Sequence, residues 1–204
     1  MRRWVCVPMM ALCLLLTGCG GETSQKQAAT ARKPYQDMTG CKIEAAVTCG
    51  TGSEDALTFT LHCDYSPEGE TTVEVLAPET VAGVKAVLTG DQLKLQYADI
   101  CLDAGTLSDE EVSPLICPAR LMSSLRSGWL LEQNEEKVGE IPCLRLCMDQ
   151  TTDSGGKILS TVWLRKDDNT PVCGEITVGD EIILHAEFTS FSFYDILQNS
   201  ATGS

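Results

Sequence analysis

Residues 57–65 read Leu-Thr-Phe-Thr-Leu-His-Cys-Asp-Tyr, and this stretch decides the fold. Leu57, Phe59, Leu61, Cys63 and Tyr65 fall on one side, with Thr58, Thr60, His62 and Asp64 on the other. A period of two sends alternate side chains to opposite faces, so the pattern specifies a half-buried β-strand. The same period recurs outward in both directions. Ile43, Ala45, Val47 and Cys49 form one row, Val73 and Val75 a second, Leu93, Leu95 and Tyr97 a third, and Leu144, Leu146 and Met148 a fourth. Residues 158–164 are apolar on both faces, as a central strand is. The run Lys166-Asp167-Asp168-Asn169-Thr170-Pro171 has hairpin-turn residues and leads to strands near 172–178 and 181–189, with Gly179-Asp180 as a tight turn between them.

One helix is signalled inside this meander. Pro118 suits a first helical position, Leu121, Met122 and Leu125 make an apolar stripe, and Gly128 suits the residue just past the end. Pro34 to Met38 reads as a short helical turn stopped by Gly40. The expectation is a mostly β, α+β domain over residues 35–198: a single antiparallel sheet with a few short covering helices.

The 204 residues suffice for one ordinary domain, and 43% apolar with 22% charged residues is globular composition. The formal charge of -14 argues against a nucleic-acid partner, because duplex binding needs a basic footprint.

The N-terminus carries an address. Met1-Arg2-Arg3 is basic, Val5 to Leu16 is apolar apart from Pro8, and Leu16-Thr17-Gly18-Cys19 follows. The apolar run is too short to span a bilayer and ends in small residues, as a cleaved signal does, so residues 1–18 read as a signal peptide. Leu-Thr-Gly-Cys resembles the bacterial lipobox, which implies a diacylglyceryl thioether on Cys19 and a cell-membrane location on the extracytoplasmic face. Losing residues 1–18 removes Arg2 and Arg3 and no acid, leaving 13 basic against 29 acidic residues and a net charge of -16. Residues 19–34 hold no aliphatic side chain larger than alanine and no aromatic, so they read as the lipidated cysteine and a flexible polar tether. Lys26, Arg32 and Lys33 are then either solvated or near lipid head groups. Residues 199–204 read as a disordered tail.

No catalytic constellation emerges. His62 and His185 both sit in strand patterns, no Gly-x-Ser-x-Gly elbow exists, and Gly155-Gly156-Lys157 lacks the flanking residues of a phosphate loop. Asp109-Glu110-Glu111 reads as a solvated loop, and Asp167 and Asp168 as turn residues. No enzyme, metal or cofactor is expected. Eight cysteines remain beyond Cys19: 41, 49, 63, 101, 117, 143, 147 and 173. Two readings stand for them. An even number in an exported domain allows one or two disulfides. Equally, Cys49 and Cys63 occupy apolar rows where a free thiol serves as a small hydrophobe. A redox or metal role is a remoter alternative, since no Cys-x-x-Cys occurs.

The order of these parts resembles the LolA-like lipoprotein-carrier superfamily, particularly its membrane-tethered bacterial members. The resemblance rests on the lipobox and tether, Tyr35-Gln36-Asp37-Met38, the turn Leu76-Ala77-Pro78-Glu79-Thr80-Val81-Ala82-Gly83-Val84, and Leu93-Lys94-Leu95-Gln96-Tyr97. It continues through the Pro-headed helix, Trp163-Leu164-Arg165, and Glu187-Phe188-Thr189-Ser190-Phe191. It implies a strongly curved half-barrel whose helices plug the concave side over an apolar cavity. It also implies a lipid or acyl-chain ligand, since members carry lipidated proteins or glycolipids, or sense lipoproteins to regulate envelope signalling. For germination lipoproteins of spore formers it implies a cell-envelope partner of the cell-wall amidase type.

The candidate lining of such a cavity is Phe59, Leu61, Val73, Val75, Leu93, Leu95 and Tyr97 on the sheet and Leu121, Met122 and Leu125 on the helix. One helical stripe is narrow for so wide a sheet. Either Phe188, Phe191 and Phe193 help to fill the space, or a gap remains for a ligand. A ligand-binding module and a filled protein-interaction scaffold are both consistent with the sequence.

Overall fold

The alternating rows become neighbouring strands of one sheet. The computed structural model describes residues 21–51, 55–107, 112–150 and 157–194. Helix α1 (Gly21–Asp37) leads into β1 (Cys41–Cys49), β2 (Leu57–Tyr65), β3 (Glu70–Ala77), β4 (Lys85–Thr89), β5 (Gln92–Tyr97) and β6 (Ile100–Thr106). A 3-10 turn (Pro114–Ile116) and helix α2 (Cys117–Ser127) follow. The chain then runs through β7 (Trp129–Val138), β8 (Ile141–Asp149), β9 (Ile158–Arg165), β10 (Pro171–Val178) and β11 (Glu181–Phe193). The strand order is β6-β5-β4-β3-β2-β1-β11-β10-β9-β8-β7, with antiparallel neighbours throughout. Because β6 and β7 stay unpaired at opposite edges, the curved sheet does not close, and the result is a half-barrel.

The inward residues of the predicted rows build the core. Ile43, Ala45 and Val47 of β1, Leu61 and Cys63 of β2, and Val73 and Val75 of β3 are all buried. The stripe on α2 meets them, since Leu121, Met122 and Leu125 are wholly buried. Each such side chain contributes about 1.5–3 kcal/mol on transfer from water. Helix α2 packs on β1, β2 and β8 to β11, and the 3-10 turn packs on β1 and β3. Gly128 ends the helix in extended backbone, with φ -61° and ψ 148°. A Cβ there would stand 2.6 Å from the Ser124 carbonyl and 3.0 Å from Met148 Cβ, so close approach rather than a left-handed φ demands glycine.

The tether reading fails. Residues 21–37 are helical, and α1 buries Ala28, Ala31, Arg32 and Tyr35 against the rest of the domain. Alanines contribute little area, but they let a helix come close, and Ala, Gln, Lys and Arg are good helix formers. Tyr35 supplies the bulk. Its ring packs against Phe191 and Phe193 at centroid distances of 5.8 and 5.2 Å, and its hydroxyl donates to the Asn169 carbonyl at 2.6 Å. Arg32, expected near solvent or lipid, is only 9% exposed and reaches the C-terminal end of α2. The folded unit therefore extends back at least to Gly21 rather than beginning at Tyr35.

Three strands lie outside the rows read from the sequence. Strand β4 buries adjacent residues Ala86 and Val87, β6 is exposed along most of its length, and β7 runs Trp-Leu-Leu before a charged stretch. The turns at 166–171 and 179–180 form as read, with Asn169 at φ 59° and Gly179 at φ 64°. The signal peptide, Cys19, Asp109 to Glu111, Gly155 and Gly156, and residues 199–204 lie outside the described residues.

Candidate functional site

The alternation of β5 determines what the far arm of the sheet presents. Leu93, Leu95 and Tyr97 share its concave side, and the register carries that side across both neighbours. Leu88 of β4 pairs with Leu93, and Ala86 pairs with Leu95. On β6, Leu102 pairs with Leu95, and Ile100 with Tyr97. The two strands join through Ala98 and Asp99 alone, with Ala98 at φ 50°. The face is continuous with the core, because Ala86 pairs in turn with buried Val73.

What differs along this face is its cover. The helices lie over β1 to β3 and β8 to β11, so the stripe becomes more exposed toward the edge. Leu88, Leu93 and Leu95 are half-buried, whereas Tyr97 is 54%, Leu102 60% and Ile100 69% exposed. Scattered exposed apolar residues are ordinary, but a contiguous patch marks an interaction surface.

At the end of the stripe nearest Leu88 lies a partly open cavity of about 350 Å³. Leu88, Leu107 and Ile116 give it apolar walls, and Tyr65, Arg120, Ser123, Gln150 and Asp91 supply polar groups. Burial pushes the Tyr65 phenol above its ordinary value. The Gln150 side chain donates to the Arg120 carbonyl and accepts from the Ser160 hydroxyl. Beside the cavity, Arg126 bridges to Glu68 at 2.5 Å.

The candidate lining residues therefore divide. Leu61, Val73, Val75, Leu121, Met122 and Leu125 are brought together, but in a filled core with each other rather than around a void. Phe59 is half-buried against that core. Only Leu93, Leu95 and Tyr97 belong to the open face. Of the C-terminal aromatics, Phe191 and Phe193 stack on each other at 4.8 Å and on Tyr35, so they fill the region under α1. Sequence reading missed Ile100 and Leu102. Their alternation was present, but Ala98-Asp99 lacks the glycine or asparagine that usually announces a two-residue turn.

The cysteines are free thiols at all eight positions. Cys41, Cys63 and Cys117 are buried, and burial pushes the Cys41 and Cys117 thiols up to about 12. Cys63 is buried as its strand row implied, whereas Cys49 is half-buried and donates to the Leu57 carbonyl at 3.4 Å. Among the described residues, no group of three or more His, Cys, Asp and Glu side chains is arranged to hold a metal ion.

No protein-family model matches the chain, and no curated protein matches it in sequence. Solved structures do match its fold. A DUF1329 family protein from Desulfovibrio piger is similar at a TM-score of 0.50 and 12% identity, over 85% of this chain and 94% of that one. An uncharacterized conserved protein from Thermus thermophilus gives 0.49 and 12%, over 86% and 90%. A LolA superfamily protein from Nitrosomonas europaea gives 0.47 and 9%, over 85% and 94%. The half-barrel is thus a fold that the Desulfovibrio piger protein shares.

Proposed function

We propose that the chain is a lipid-anchored, extracytoplasmic binding module that takes an apolar ligand, a lipid acyl chain, along the concave face of β4 to β6. One observation carries this reading: Leu93, Leu95, Tyr97, Ile100 and Leu102 form a single apolar stripe that continues the core past the reach of the helices. Burying a chain there contributes up to about 0.8 kcal/mol per methylene fully removed from water. The role is binding rather than catalysis, and it needs no cofactor. Anchoring through a diacylglyceryl group on Cys19 would hold the module at the membrane from which such ligands come.

The test uses a chain beginning at Gly21, which retains every described strand, helix and core residue. A fluorescent fatty acid is titrated into it, and saturable binding is expected to weaken at least tenfold in Leu102→Glu. That position is exposed, so the variant keeps its fold. Absence of saturable binding, with no lipid found by mass spectrometry in the purified protein, rejects the reading.

A second reading, a protein-interaction scaffold of the same fold, is favoured by the filled core beneath α2. In it, an envelope enzyme or sensor covers the same stripe. A photo-crosslinker at position 102 separates the two, because a scaffold yields one discrete protein adduct and a lipid-binding module yields lipid adducts.

A further inference from the structure

Helix α1 crosses the sheet in a definite direction. Its C-terminal end leads into β1, and Tyr35 packs on Phe191 and Phe193 of the neighbouring β11. Farther back along the helix, Ala31, Thr30, Gln27 and Lys26 share a groove with Leu144 of β8 and Lys166 of the β9–β10 turn. Gln27 Nε2 then donates to Glu135 Oε1 of β7 at 2.7 Å. Because β7 is an edge strand, the helix has reached the rim of the sheet by Gln27. The residues from Gly21 to Lys26 add ~9 Å at helical rise and carry the N-terminus past that edge.

Only Gly20 separates Cys19 from the helix. Fully extended, that spacing covers at most ~7 Å. The β7 rim therefore stays within about 16 Å of Cys19, and a lipid on that residue holds this edge, rather than the β6 edge, beside the membrane.

The side chains of β7 suit such a position. Trp129 is 75% exposed and Leu131 48%, and an indole with an apolar body and one N–H favours the head-group level of a bilayer. Charge permits the contact too. A chain with 29 acidic and 15 basic residues is repelled by an anionic surface, but all three glutamates of β7 have cationic partners. Glu132 and Glu136 lie 3.3 and 3.8 Å from Arg145, and Glu135 lies 2.7 Å from Lys166.

We infer that the β7 edge, with Trp129 at head-group level, rests on the lipid bilayer to which the chain is anchored, and that α1 is the post that sets this orientation. The inference rests on the lipid-anchor reading of Cys19 and is independent of any acyl-chain ligand on β4 to β6.

The chain supplies its own reporters. Of its three tryptophans Trp4 precedes Cys19, so the processed chain holds Trp129 and Trp163. The lipidated protein is placed in vesicles of phosphatidylglycerol and phosphatidylcholine, part of the latter carrying a nitroxide on its head group. In Trp163→Phe, Trp129 is the one tryptophan left, and its emission is expected to fall at least twofold relative to nitroxide-free vesicles. A bimane on Cys101, the exposed cysteine of the opposite edge strand β6, should lose less than a tenth of its emission. The parent chain gives the same reading without a substitution, as a loss of at least a quarter of its tryptophan emission. Quenching at Cys101 as strong as at Trp129 overturns the inference and leaves the anchor reading standing. So does unquenched Trp129 in protein that sediments with the vesicles. Unquenched Trp129 emission that moves to shorter wavelength as protein concentration rises also overturns it, and assigns the edge to a second copy of the chain. Protein that fails to sediment with vesicles rejects the anchor reading itself.

Discussion

The Arg32 guanidinium of α1 donates from Nε to the Leu125 main-chain carbonyl of α2 at 2.8 Å. The same side chain donates to the Gly128 carbonyl at 2.8 Å and to the Ser124 carbonyl at 3.3 Å. The last carbonyls of a helix have no intrahelical partner, and a cation there also complements the helix dipole. One residue from the first helix therefore finishes the second. It fixes α2 over the sheet and hence the wall that carries Arg120 and Ser123.

Removing that side chain should loosen the whole concave side. Arg32→Ala is expected to destabilise the domain by about 2–4 kcal/mol, since it leaves buried carbonyls without donors and opens space beside α2. Arg32→Lys, with one compact donor group, should recover only part of this. Urea unfolding followed by circular dichroism measures both. A change under about 0.5 kcal/mol for the alanine variant, the range of an ordinary surface substitution, would show that the cap is not structural.

Close packing of α2 on β10 gives a second expectation. A Cβ on Gly174 would lie 2.7 Å from Leu121 Cδ1 and 3.3 Å from the Thr161 carbonyl. Gly174→Ala should thus cost about 1–3 kcal/mol through overpacking. A thermal unfolding midpoint no lower than that of the parent protein would contradict the docking of Leu121 described here.

His185 gives the fold a pH dependence. Its Nδ1 lies 3.2 Å from Glu175 Oε1, and Nε2 lies 3.9 Å from Glu187 Oε1. The hydrogen bond to Glu175 raises the imidazole above its ordinary 6.5, and burial opposes it. A raised folded-state value means that the protonated ring stabilises the fold. That contribution is complete below the unfolded value and disappears as pH rises through the folded one. Denaturant midpoints measured from about pH 6 to about pH 8 should include this decline, and His185→Asn should remove it. An identical pH profile in the variant would mean that Glu175 does not hold the proton on this ring.

Thiol chemistry should single out one cysteine. Cys101 is the only exposed cysteine of the eight described, while Cys41, Cys63 and Cys117 are buried with their thiols held protonated. Brief alkylation of the native domain beginning at Gly21 should therefore label Cys101 first, and denaturant should release the other seven. Mass spectrometry of the modified peptides reads the order. Native labelling of Cys63 at a rate matching Cys101 would place β2 with the wrong face inward.

Alternation in the sequence determined the strands that have one face in the core and one in water. Residues 57–65 and 93–97 declare themselves because each side chain at period two reports a single environment. The helix at 117–127 was legible for a related reason: its stripe of Leu121, Met122 and Leu125 has only one place to go. The half-barrel was implied by the family resemblance that the order of such segments carries. What the sequence could not carry was anything whose environment is set by a distant partner. Helix α1 looked like a tether because its burial depends on alanines that approach closely and on Tyr35 meeting Phe191 and Phe193, more than 150 positions away. Strand β6 went unread because Ala98-Asp99 gives no turn signal to separate it from β5. Whether Leu61, Val73 and Val75 line a chamber or pack solid was likewise decided in three dimensions. An apolar side chain has the same pattern in either case, and only the reach of the helix above it determines which is filled and which is left open.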